Sequence, residues 1–483
     1  MLTMVSGSEQ IPKEETIRLR NQHISKCVTL FFKSDPLKIV RGEGQYMFDE
    51  LGNKYLDCIN NVAHVGHCHP HVTEAATKQM SLIYTNSRYL HDNLVLYAQR
   101  LTSYFPKPLS ICYFVNSGSE ANDLALRLAR AHTGHHDVIT HDAAYHGHLS
   151  EIVEISPYKF QKIKGHKKKD WVHVAPLPCS YRGKYTLDNY SDREISELYA
   201  DEVAQLVRNA KNKGRGIAAF ISESFISCGG QVILPPGYLK KVYREVREAG
   251  GVCIADEVQV GFGRIGTNMW AFQHQNNDVI PDIVTLGKPI GNGHPVACVV
   301  TTPEIAASFE ALGAEYFNTY GGNPVSMAIA NAVLDVIEGE NLRENATQVG
   351  DYLLNSLEKF KEDYELIGDV RGAGLFIGIE LVEDRKTKKP ASLVSGWAVR
   401  RFRDEGIIMS TEGKHDNVLK FKPPMSFNMK DAKVWLKTFQ SIMEECLEYD
   451  RPKKSISCGS LSSCDSFLSD SSGDSGECSE SSS

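Results

Sequence analysis

Short apolar runs alternate with helical patterns in the middle of the chain, between about residues 110 and 325. Four of these runs carry branched apolar side chains without polar alternation, as expected of strands that are covered on both faces. They are ICYFV (111–115), IAAFIS (217–222), VCIAD (252–256) and DIVTLG (282–287). Between them, apolar residues recur at helical spacing, as they do at Ala121, Leu124 and Leu128. The alternation predicts an α/β fold with a mostly parallel sheet.

The pattern differs on the two sides of this central region. Before it, GQYMFDELGNKYLDC (44–58) has the form of a β-hairpin. After it, helical stretches at about 325–338 and 349–364 precede the strand-like GLFIGIELV (374–382). We therefore predict four regions: an N-terminal arm (1–75), a large α/β domain (76–325), a small C-terminal α+β domain (326–450) and a disordered tail (451–483).

The predicted tail is rich in serine and acidic residues and has few large apolar side chains. Such a segment buries too little surface to offset the entropy of ordering it, so we expect it to be disordered. Two roles stay open for it: a solvated tail without further function, and a phosphorylated regulatory segment. Acidic residues that follow serines suggest the second role, as in Ser462-Ser463-Cys464-Asp465.

Composition narrows the class of protein. The 483 residues include 53 Lys+Arg and 60 Asp+Glu, which gives a net charge of −7. This mild acidity does not indicate binding to nucleic acid or to an anionic membrane. No stretch approaches the roughly 20 apolar residues of a membrane-spanning helix. Twelve cysteines without a C-x-x-C pair argue against a disulfide framework or a zinc site. We expect a soluble protein with free thiols.

The first apolar run ends in a small polar turn, Asn116-Ser117-Gly118-Ser119-Glu120. A turn of this kind between a strand and a helix exposes backbone N–H groups and hydroxyls at the positive end of the helix dipole, which suits a phosphate. The same residues can also form an ordinary helix N-cap, with Ser117 as the capping residue. Both interpretations stay open for this turn taken alone.

Acidic or basic side chains lie at the ends of the other three runs. Glu223 follows the second run, Asp256 ends the third and is followed by Glu257, and Lys288 follows the fourth. Asp256 and Glu257 could form a metal pair, a general base or a partner for a cationic ring nitrogen. Lys288 is either a solvated strand end or a buried amine that forms a Schiff base. The carboxyl ends of such strands meet at one edge of a sheet. A phosphate site, an acid and a Schiff-base lysine together are what pyridoxal 5'-phosphate (PLP) requires.

Five segments occur in this order along the chain: NSGSEAN, IADEVQVGFGR, TLGK, FNTYGGNP and DVRGAGL. With them the sequence resembles the class III pyridoxal-phosphate aminotransferase family, from about Lys38 to Met443. Five further segments are similar to the subgroup called alanine–glyoxylate aminotransferase 2-like: NNVAHVGHCHP, TNSRYLHDN, AYHGHLS, ISPYKF and VLKFKPPM. That subgroup includes ethanolamine-phosphate phospho-lyase and 5-phosphohydroxy-lysine phospho-lyase. The resemblance implies the PLP-dependent fold type I and a homodimer with shared active sites.

The resemblance also implies roles for individual residues toward PLP. Lys288 would carry the cofactor as a Schiff base, and Asp256 would keep the ring nitrogen protonated. The other implied contacts are Gly118 and Ser119 on the phosphate, Tyr145 stacked on the ring, Gln259 on the 3′-oxygen, Glu223 on the substrate side, and Thr319 reaching the phosphate from the neighbouring subunit.

One position departs from many aminotransferases of this class. In those proteins the segment before Pro-Pro carries an arginine that grips the α-carboxylate of the substrate, and here Lys420 stands in that place. Lysine cannot make the planar two-point contact with a carboxylate, so a substrate with a phosphate is favoured over exchange between amino and keto acids. Arg371 remains available for an acidic group, with a structural ion pair as the alternative.

Other basic side chains are candidates for substrate contacts. Arg88 and His91, in TNSRYLHDN, could contact a substrate phosphate. His64, His67 and His69 invite a metal interpretation, but no carboxylate or cysteine pair completes a site. We expect structural roles or phosphate contacts for these histidines, and no metal.

Two enzymatic functions follow from these observations. The first is a phospho-lyase that eliminates phosphate from phosphoethanolamine or 5-phosphohydroxy-L-lysine to give an aldehyde, ammonia and phosphate. The alternative is an aminotransferase that moves an amino group to a keto acid; a catalytically silent binding protein is disfavoured by Lys288 and Asp256. The resemblance suggests mitochondria, whereas the N-terminal MLTMVSGSEQIPKEE has no apolar signal region and is acidic, which argues for the cytosol.

Overall fold

A computed structural model describes residues 11–86, 88–276 and 278–455, without the side chains of 447–455. The helices are α1 (Lys13–His23), α2 (Pro70–Met80), α3 (Asp92–Ser103), α4 (Gly118–Thr133), α5 (Ser150–Glu154), α6 (Pro157–Phe160), α7 (Asp192–Asn212), α8 (Tyr238–Glu248), α9 (Pro303–Glu310), α10 (Pro324–Gly339), α11 (Leu342–Asp363), α12 (Ser392–Asp404) and α13 (Met429–Ser455). Two 3₁₀ helices cover Ala271–His274 and Lys288–Gly291.

The strands are β1 (Ile39–Glu43), β2 (Tyr46–Asp49), β3 (Lys54–Asp57), β4 (Ile111–Val115), β5 (Asp137–His141), β6 (Val172–Ala175), β7 (Ile217–Glu223), β8 (Phe225–Ile226), β9 (Val232–Ile233), β10 (Val252–Asp256), β11 (Ile283–Leu286), β12 (Ala297–Thr301), β13 (Ile367–Ala373), β14 (Phe376–Asp384), β15 (Lys389–Pro390), β16 (Ile407–Ile408), β17 (Ser410–Glu412) and β18 (Val418–Phe421).

A seven-stranded sheet organises the central part of the chain, in the order β4-β12-β11-β10-β7-β5-β6. The five strands from β11 to β6 run parallel, and β12 is antiparallel to both of its neighbours. The four apolar runs singled out in the sequence are β4, β7, β10 and β11. The predicted α/β fold with a mostly parallel sheet is confirmed.

Helices cover both faces of this sheet, which explains why its strands lack polar alternation. On β7, the side chain of Phe220 packs in one apolar cluster with residues of α7 and α8. Its neighbours Ala219 and Ile221 point the other way and pack with residues of α4. Successive strand residues therefore enter opposite layers, and both layers are apolar.

The predicted hairpin at 44–58 is present as β2 and β3. It belongs to a four-stranded sheet, β1-β2-β3-β16, in which β3 pairs parallel with β16 from the C-terminal part of the chain. Asp57, at the end of β3, is fully buried. The region predicted as an N-terminal arm is thus joined by strand pairing to the region predicted as the small domain.

The C-terminal part combines helices with an antiparallel sheet, β13-β14-β18-β17, to which β15 adds at β14. The second predicted helix here begins at Leu342 rather than near residue 349. Its polar first turn hid the start, although Leu342, Ala346 and Val349 are buried on one side of it. Helix α13 continues to Ser455, and the rest of the predicted disordered tail (456–483) lies outside the described residues.

Among the described helices, none is long and apolar enough to cross a membrane. No disulfide joins the cysteines of the described residues.

Candidate active site

A cavity of about 270 Å³ opens at the carboxyl ends of the central strands. Asp256, the last residue of β10, lies beside Glu223 of β7 and Thr285 of β11 in the parallel register. The cavity is lined by seven of the site residues expected from the sequence: Gly118, Ser119, Tyr145, Glu223, Asp256, Gln259 and Lys288. The sheet therefore brings together side chains that lie up to 170 residues apart in the chain.

Asp256 is buried and held by two side chains that sequence analysis did not single out. Its Oδ2 accepts hydrogen bonds from Asn122 Nδ2 at 2.9 Å and from His146 Nδ1 at 2.8 Å. Its Oδ1 accepts one from the backbone N–H of Val258 at 3.1 Å. Oδ1 therefore keeps capacity for a further donor. The motifs SEAN and AYHG contain Asn122 and His146, so adjacency to predicted residues was the available signal.

Glu257, the neighbour of Asp256, does not share this cavity. Its carboxylate accepts hydrogen bonds from Ser224 Oγ and from the backbone N–H groups of Ala271 and Phe272. Burial raises the pKa of Glu257 to about 7. The carboxylates of Asp256 and Glu257 therefore have different hydrogen-bond partners and do not form a metal pair. No group of metal-ligating side chains occurs among the described residues.

Lys288 follows β11 and begins a short 3₁₀ helix at the edge of the cavity. Its Nζ makes no hydrogen bond or ion pair with any described residue. Desolvation lowers the pKa of Lys288 from its ordinary 10.5, against the opposing attraction of Asp256. A depressed pKa increases the fraction of neutral amine, which is the nucleophilic form.

Glu223 is buried and accepts two backbone hydrogen bonds, from the N–H of Tyr145 at 3.1 Å and of Ser227 at 3.0 Å. The pKa of Glu223 is raised to about 7, mainly by burial and also by Asp256, against the opposing effects of His146 and the two N–H donors. The carboxyl group of Glu223 therefore holds the loop that carries Tyr145 close to the end of β7.

Helix α4 points its N-terminus at the cavity. Ser117 caps it by accepting from the N–H of Glu120 at 3.2 Å, so the capping interpretation of Ser117 is confirmed. Ser119 accepts instead from the N–H of His148 at 3.1 Å. Gly147 has a φ of +133°, and a Cβ there would come within 2.4 Å of Ser119 Oγ. Only glycine leaves this space beside the helix N-terminus open, and the first-turn N–H groups at Gly118 and Ser119 suit an anion.

Lys420 and Arg371, the two candidates for acidic groups of a substrate, are both engaged within the protein. Lys420 Nζ lies 2.5 Å from Glu412 Oε1 on the adjacent strand β17. Arg371 is ion-paired with Asp369 at 2.6 Å and with Glu380 at 2.9 Å. Both cations therefore already have a carboxylate partner within the protein.

Five predicted residues lie outside the lining of the cavity: Lys420 and Arg371, described above, and His91, Arg88 and Thr319. His91 caps α3, its Nδ1 accepting from the N–H of Asn93 at 3.2 Å. Arg88 is exposed, with its guanidinium 4.5 Å above the ring of Phe317 and ion-paired to Glu315. Thr319 is exposed on the same segment.

Exposed apolar side chains also occur in the stretches of chain that carry Arg88 and Thr319, and we call this set of residues the apolar face. It consists of Leu82, Ile83, Tyr84, Tyr89, Leu90, Val95, Leu96, Phe317 and Tyr320, each at least 43% exposed. Single exposed apolar residues are ordinary, whereas nine of them within two stretches of the chain indicate an interaction surface.

A strongly basic segment that sequence analysis missed begins next to the cavity. Lys159 Nζ is 5.8 Å from the centre of the Tyr145 ring, and Lys162 Nζ is 4.3 Å from that of Tyr158. Lys164, Lys167, Lys168 and Lys169 follow within seven residues. A cluster of like charges beside a cleft attracts ligands of the opposite sign, here anions.

The histidines of the GHCHP region have separate structural partners. His64 Nε2 bonds the carbonyl of Phe262 at 2.8 Å, and His67 Nε2 lies 2.8 Å from Asp57 Oδ2. His69 Nε2 lies 2.8 Å from Glu340 Oε1. Each of the three histidines therefore has its own hydrogen-bond partner, and their close spacing in the sequence needs no shared metal ion to explain it.

Comparison with known proteins places this geometry in a family. The family model described as aminotransferase class-III matches residues 32–443. A Drosophila melanogaster protein named alanine–glyoxylate aminotransferase 2-like is 59% identical over 91% of this chain and 88% of its own length. A Caenorhabditis elegans protein named ethanolamine-phosphate phospho-lyase homolog 1 is 46% identical over 86% of this chain and 90% of its own.

A solved structure shows the same fold. The phospholyase from Arthrobacter in complex with phosphoethanolamine superposes with a TM-score of 0.84 and 36% identity, covering 89% of this chain and 99% of the other. The resemblance seen in the sequence motifs is confirmed over most of the chain. The protein is an enzyme of the class III aminotransferase family.

Proposed function

We propose that this enzyme is a PLP-dependent phospho-lyase. Its substrates would be water and an aminoalkyl phosphate, either phosphoethanolamine or 5-phosphohydroxy-L-lysine, and its products an aldehyde, ammonia and inorganic phosphate. The observation that carries the proposal is the ion pair between Lys420 and Glu412, at the position where related aminotransferases grip a carboxylate. The relative named as a phospho-lyase homolog and the phospholyase structure support it.

The donor set of the cavity fits PLP. The N-terminus of α4, with Gly118 and Ser119, would hold the phosphate, and Tyr145 would stack on the ring. Asp256 Oδ1 has a free acceptor position for the ring N–H, and Lys288 Nζ has no described protein partner that would compete for it. When bound, PLP supplies an aldehyde for amines and a ring that accepts electrons.

The residues of the chain would divide the work of elimination. Asp256, fixed by His146 and Asn122, would keep a proton on the ring nitrogen. Lys288 Nζ, released by the substrate amine, would take the proton from the carbon that bears the nitrogen. Phosphate departs from the neighbouring carbon as a stable anion, so the protein need only hold the C–O bond in a favourable orientation.

The charges at the cavity suit a phosphate monoester better than an amino acid. An α-carboxylate near Lys420 would meet the carboxylate of Glu412, which already neutralises the lysine. The basic segment that includes Lys159 and Lys162 would instead attract the phosphate dianion toward the entrance. Arg88 is exposed, ion-paired to Glu315 and outside the lining of its own cavity, so any contact it makes with that phosphate would come from a second copy of the chain.

We propose a homodimer in which the apolar face is covered by a second copy. Thr319 does not line the cavity of its own subunit, as expected of a residue that completes the neighbour's phosphate site. Asn318, next to it, is fixed by hydrogen bonds with Asn116 at 2.8 Å and Glu120 at 3.2 Å. Because these hydrogen bonds hold Asn318 in place, the exposed Thr319 next to it has a defined position, which supports a contact across a subunit interface.

The reaction is tested with purified protein, PLP and a panel of aminoalkyl phosphates and amino acids, measuring phosphate, ammonia and keto-acid products together. Phosphate and ammonia released in equal amounts without any keto acid would support the lyase. Turnover that strictly requires a keto acid would instead identify an aminotransferase, the activity that membership of the family favours.

For the compartment we propose mitochondria, on the resemblance alone. Fractionation of cells that express the chain with a C-terminal tag tests this. Recovery of the tagged protein in the cytosol would contradict it.

A further inference from the structure

Lys422 is a fully enclosed lysine at the end of β18, two residues beyond Lys420. Only 2% of it is exposed, and its backbone N–H donates to the carbonyl of Cys58 at 2.7 Å. Its Nζ donates to Gln259 Oε1 at 2.7 Å and to Ser227 Oγ at 2.7 Å. A buried amine with two good hydrogen bonds is held in one position.

The surroundings of Lys422 favour a neutral amine. Burial lowers its pKa well below the ordinary value, and the nearby cations Lys420 and Lys288 lower it further, whereas Glu412 and Cys228 act in the opposite direction. Lys422 therefore acts on its partners as a hydrogen-bond donor more than as a charge.

Gln259 lines the cavity, and its amide has two unlike ends. A carboxamide oxygen only accepts and its NH₂ only donates. Because Lys422 donates to Oε1 and does not itself line the cavity, the oxygen is engaged within the protein, and Nε2 is left without a partner among the described residues. The backbone carbonyl of Gln259 is also fixed, by Asn61 Nδ2 at 3.2 Å. Without Lys422 the amide could rotate and present its oxygen instead.

We infer that Lys422 is a positioning residue that orients Gln259 so that the NH₂ group, and not the oxygen, faces the 3′-oxygen of the bound cofactor. This rests on the proposed PLP site. A donor at that oxygen stabilises its ionised form, so the orientation of Gln259 sets the pH at which the coloured complex of PLP with Lys288 changes its absorption. Lys422 also donates to Ser227, and the backbone N–H of Ser227 donates to Glu223. Lys422 therefore connects Gln259 with Glu223, and both of these residues line the cavity.

The test is a spectroscopic pH titration of the PLP complex, which does not depend on turnover. Lys422→Met removes the donor and keeps an apolar stem of similar length. It should raise the apparent pKa of the chromophore by about one unit, the scale of one hydrogen bond. Gln259→Leu should raise it by a similar amount. Lys420→Met is the matched control, since it removes a nearby cation that does not contact Gln259, and should shift the pKa by much less.

A double variant separates positioning from a direct electrostatic effect. If Lys422 acts through Gln259, Lys422→Met in the Gln259→Leu background should give no further shift. Fully additive shifts, or no shift in Lys422→Met alone, would overturn the inference. If Lys422→Met does not fold, Lys422→Leu, which also lacks a donor, is used in the same cycle with the same criterion. A wild-type protein that forms no coloured complex would overturn the proposed function as well, whereas a normal complex with unshifted variants would overturn only this inference.

Discussion

Asp256 and His146 are joined by a 2.8 Å hydrogen bond between Oδ2 and Nδ1, with both side chains buried. Asn122 reinforces the pair, because its Nδ2 also donates to the backbone carbonyl of His146 at 2.8 Å. The carboxylate is thereby fixed in orientation, and its Oδ1, which among the described residues accepts only from the N–H of Val258, keeps capacity for a further donor. A buried carboxylate that is this well supported can hold a positively charged partner.

Replacing Asp256 tests this arrangement. Asp256→Asn keeps the shape of the side chain and removes the charge that would stabilise a protonated ring nitrogen. We expect kcat to fall by at least about 100-fold, the scale of a lost proton-holding group, while PLP still binds. Steady-state phosphate release and the absorption spectrum of the complex measure the two effects. An Asp256→Asn variant with wild-type kcat would contradict the assigned role.

Glu223 predicts a pH dependence of stability in the cofactor-free protein. Its pKa in the folded state, about 7, lies above the ordinary 4.5 because the group is buried. The folded state then binds more protons than the unfolded state between these values, so the free energy of unfolding should fall as pH rises from 4.5 to 7, by up to about 3 kcal/mol. Urea unfolding at several pH values measures it.

The matched variant for this prediction is Glu223→Gln, which cannot ionise. Its stability should decline less than that of the wild type over the same pH range, since Glu257 and the other titrating groups contribute equally in both proteins. Parallel pH profiles for the two proteins would show that Glu223 does not titrate in this window.

The ion pair of Lys420 and Glu412 predicts how the reaction could be redirected. A double variant, Lys420→Arg with Glu412→Gln, would supply a planar guanidinium and remove the carboxylate that neutralises it. We expect transamination between alanine and glyoxylate, followed as pyruvate, to rise by about 10-fold over wild type, roughly one charge-assisted hydrogen bond. Lys420→Arg alone is the control and should gain less. Equal gains in both variants would show that Glu412 does not mask this position.

Thr319 predicts that subunits can complement one another. Lys288→Ala removes the reactive amine, and Thr319→Asp places a negative charge where a phosphate would bind. Each variant alone should be inactive. After the two are unfolded and refolded together, mixed dimers should regain activity, because one of their two cavities combines wild-type Lys288 with wild-type Thr319 from the other subunit. Absence of regained activity in mixed dimers confirmed by mass spectrometry would place Thr319 in its own subunit's site.

Much of the framework was predictable from local sequence, because strands covered on both faces have an unmistakable apolar pattern. The residues that end β7, β10 and β11 could be placed at one edge of the sheet on that basis alone. The antiparallel strand β12 could not, since its run ACVVT is as apolar as a parallel strand. The pairing of β3 with β16 joins segments some 350 residues apart and leaves no local signal.

Within the site, residues next to motifs were predictable and their supporting partners were not. Lys422 looks in the sequence like one more lysine beside Pro423, and only the packing around it shows a buried donor to Gln259. His146 was similarly hidden, because a histidine bound to a carboxylate 110 residues away has no spacing to reveal it. In the proposed dimer the exposed candidates Arg88 and Thr319 would act together with a second copy of the chain, which no local pattern describes.

The account depends most directly on Lys288. The protein is incubated with PLP, reduced with borohydride and digested, and the modified peptide is identified by mass spectrometry. We predict a single reduced PLP adduct on Lys288, which disappears in Lys288→Ala. A wild-type protein with no adduct, or with the adduct on another lysine, would contradict the account.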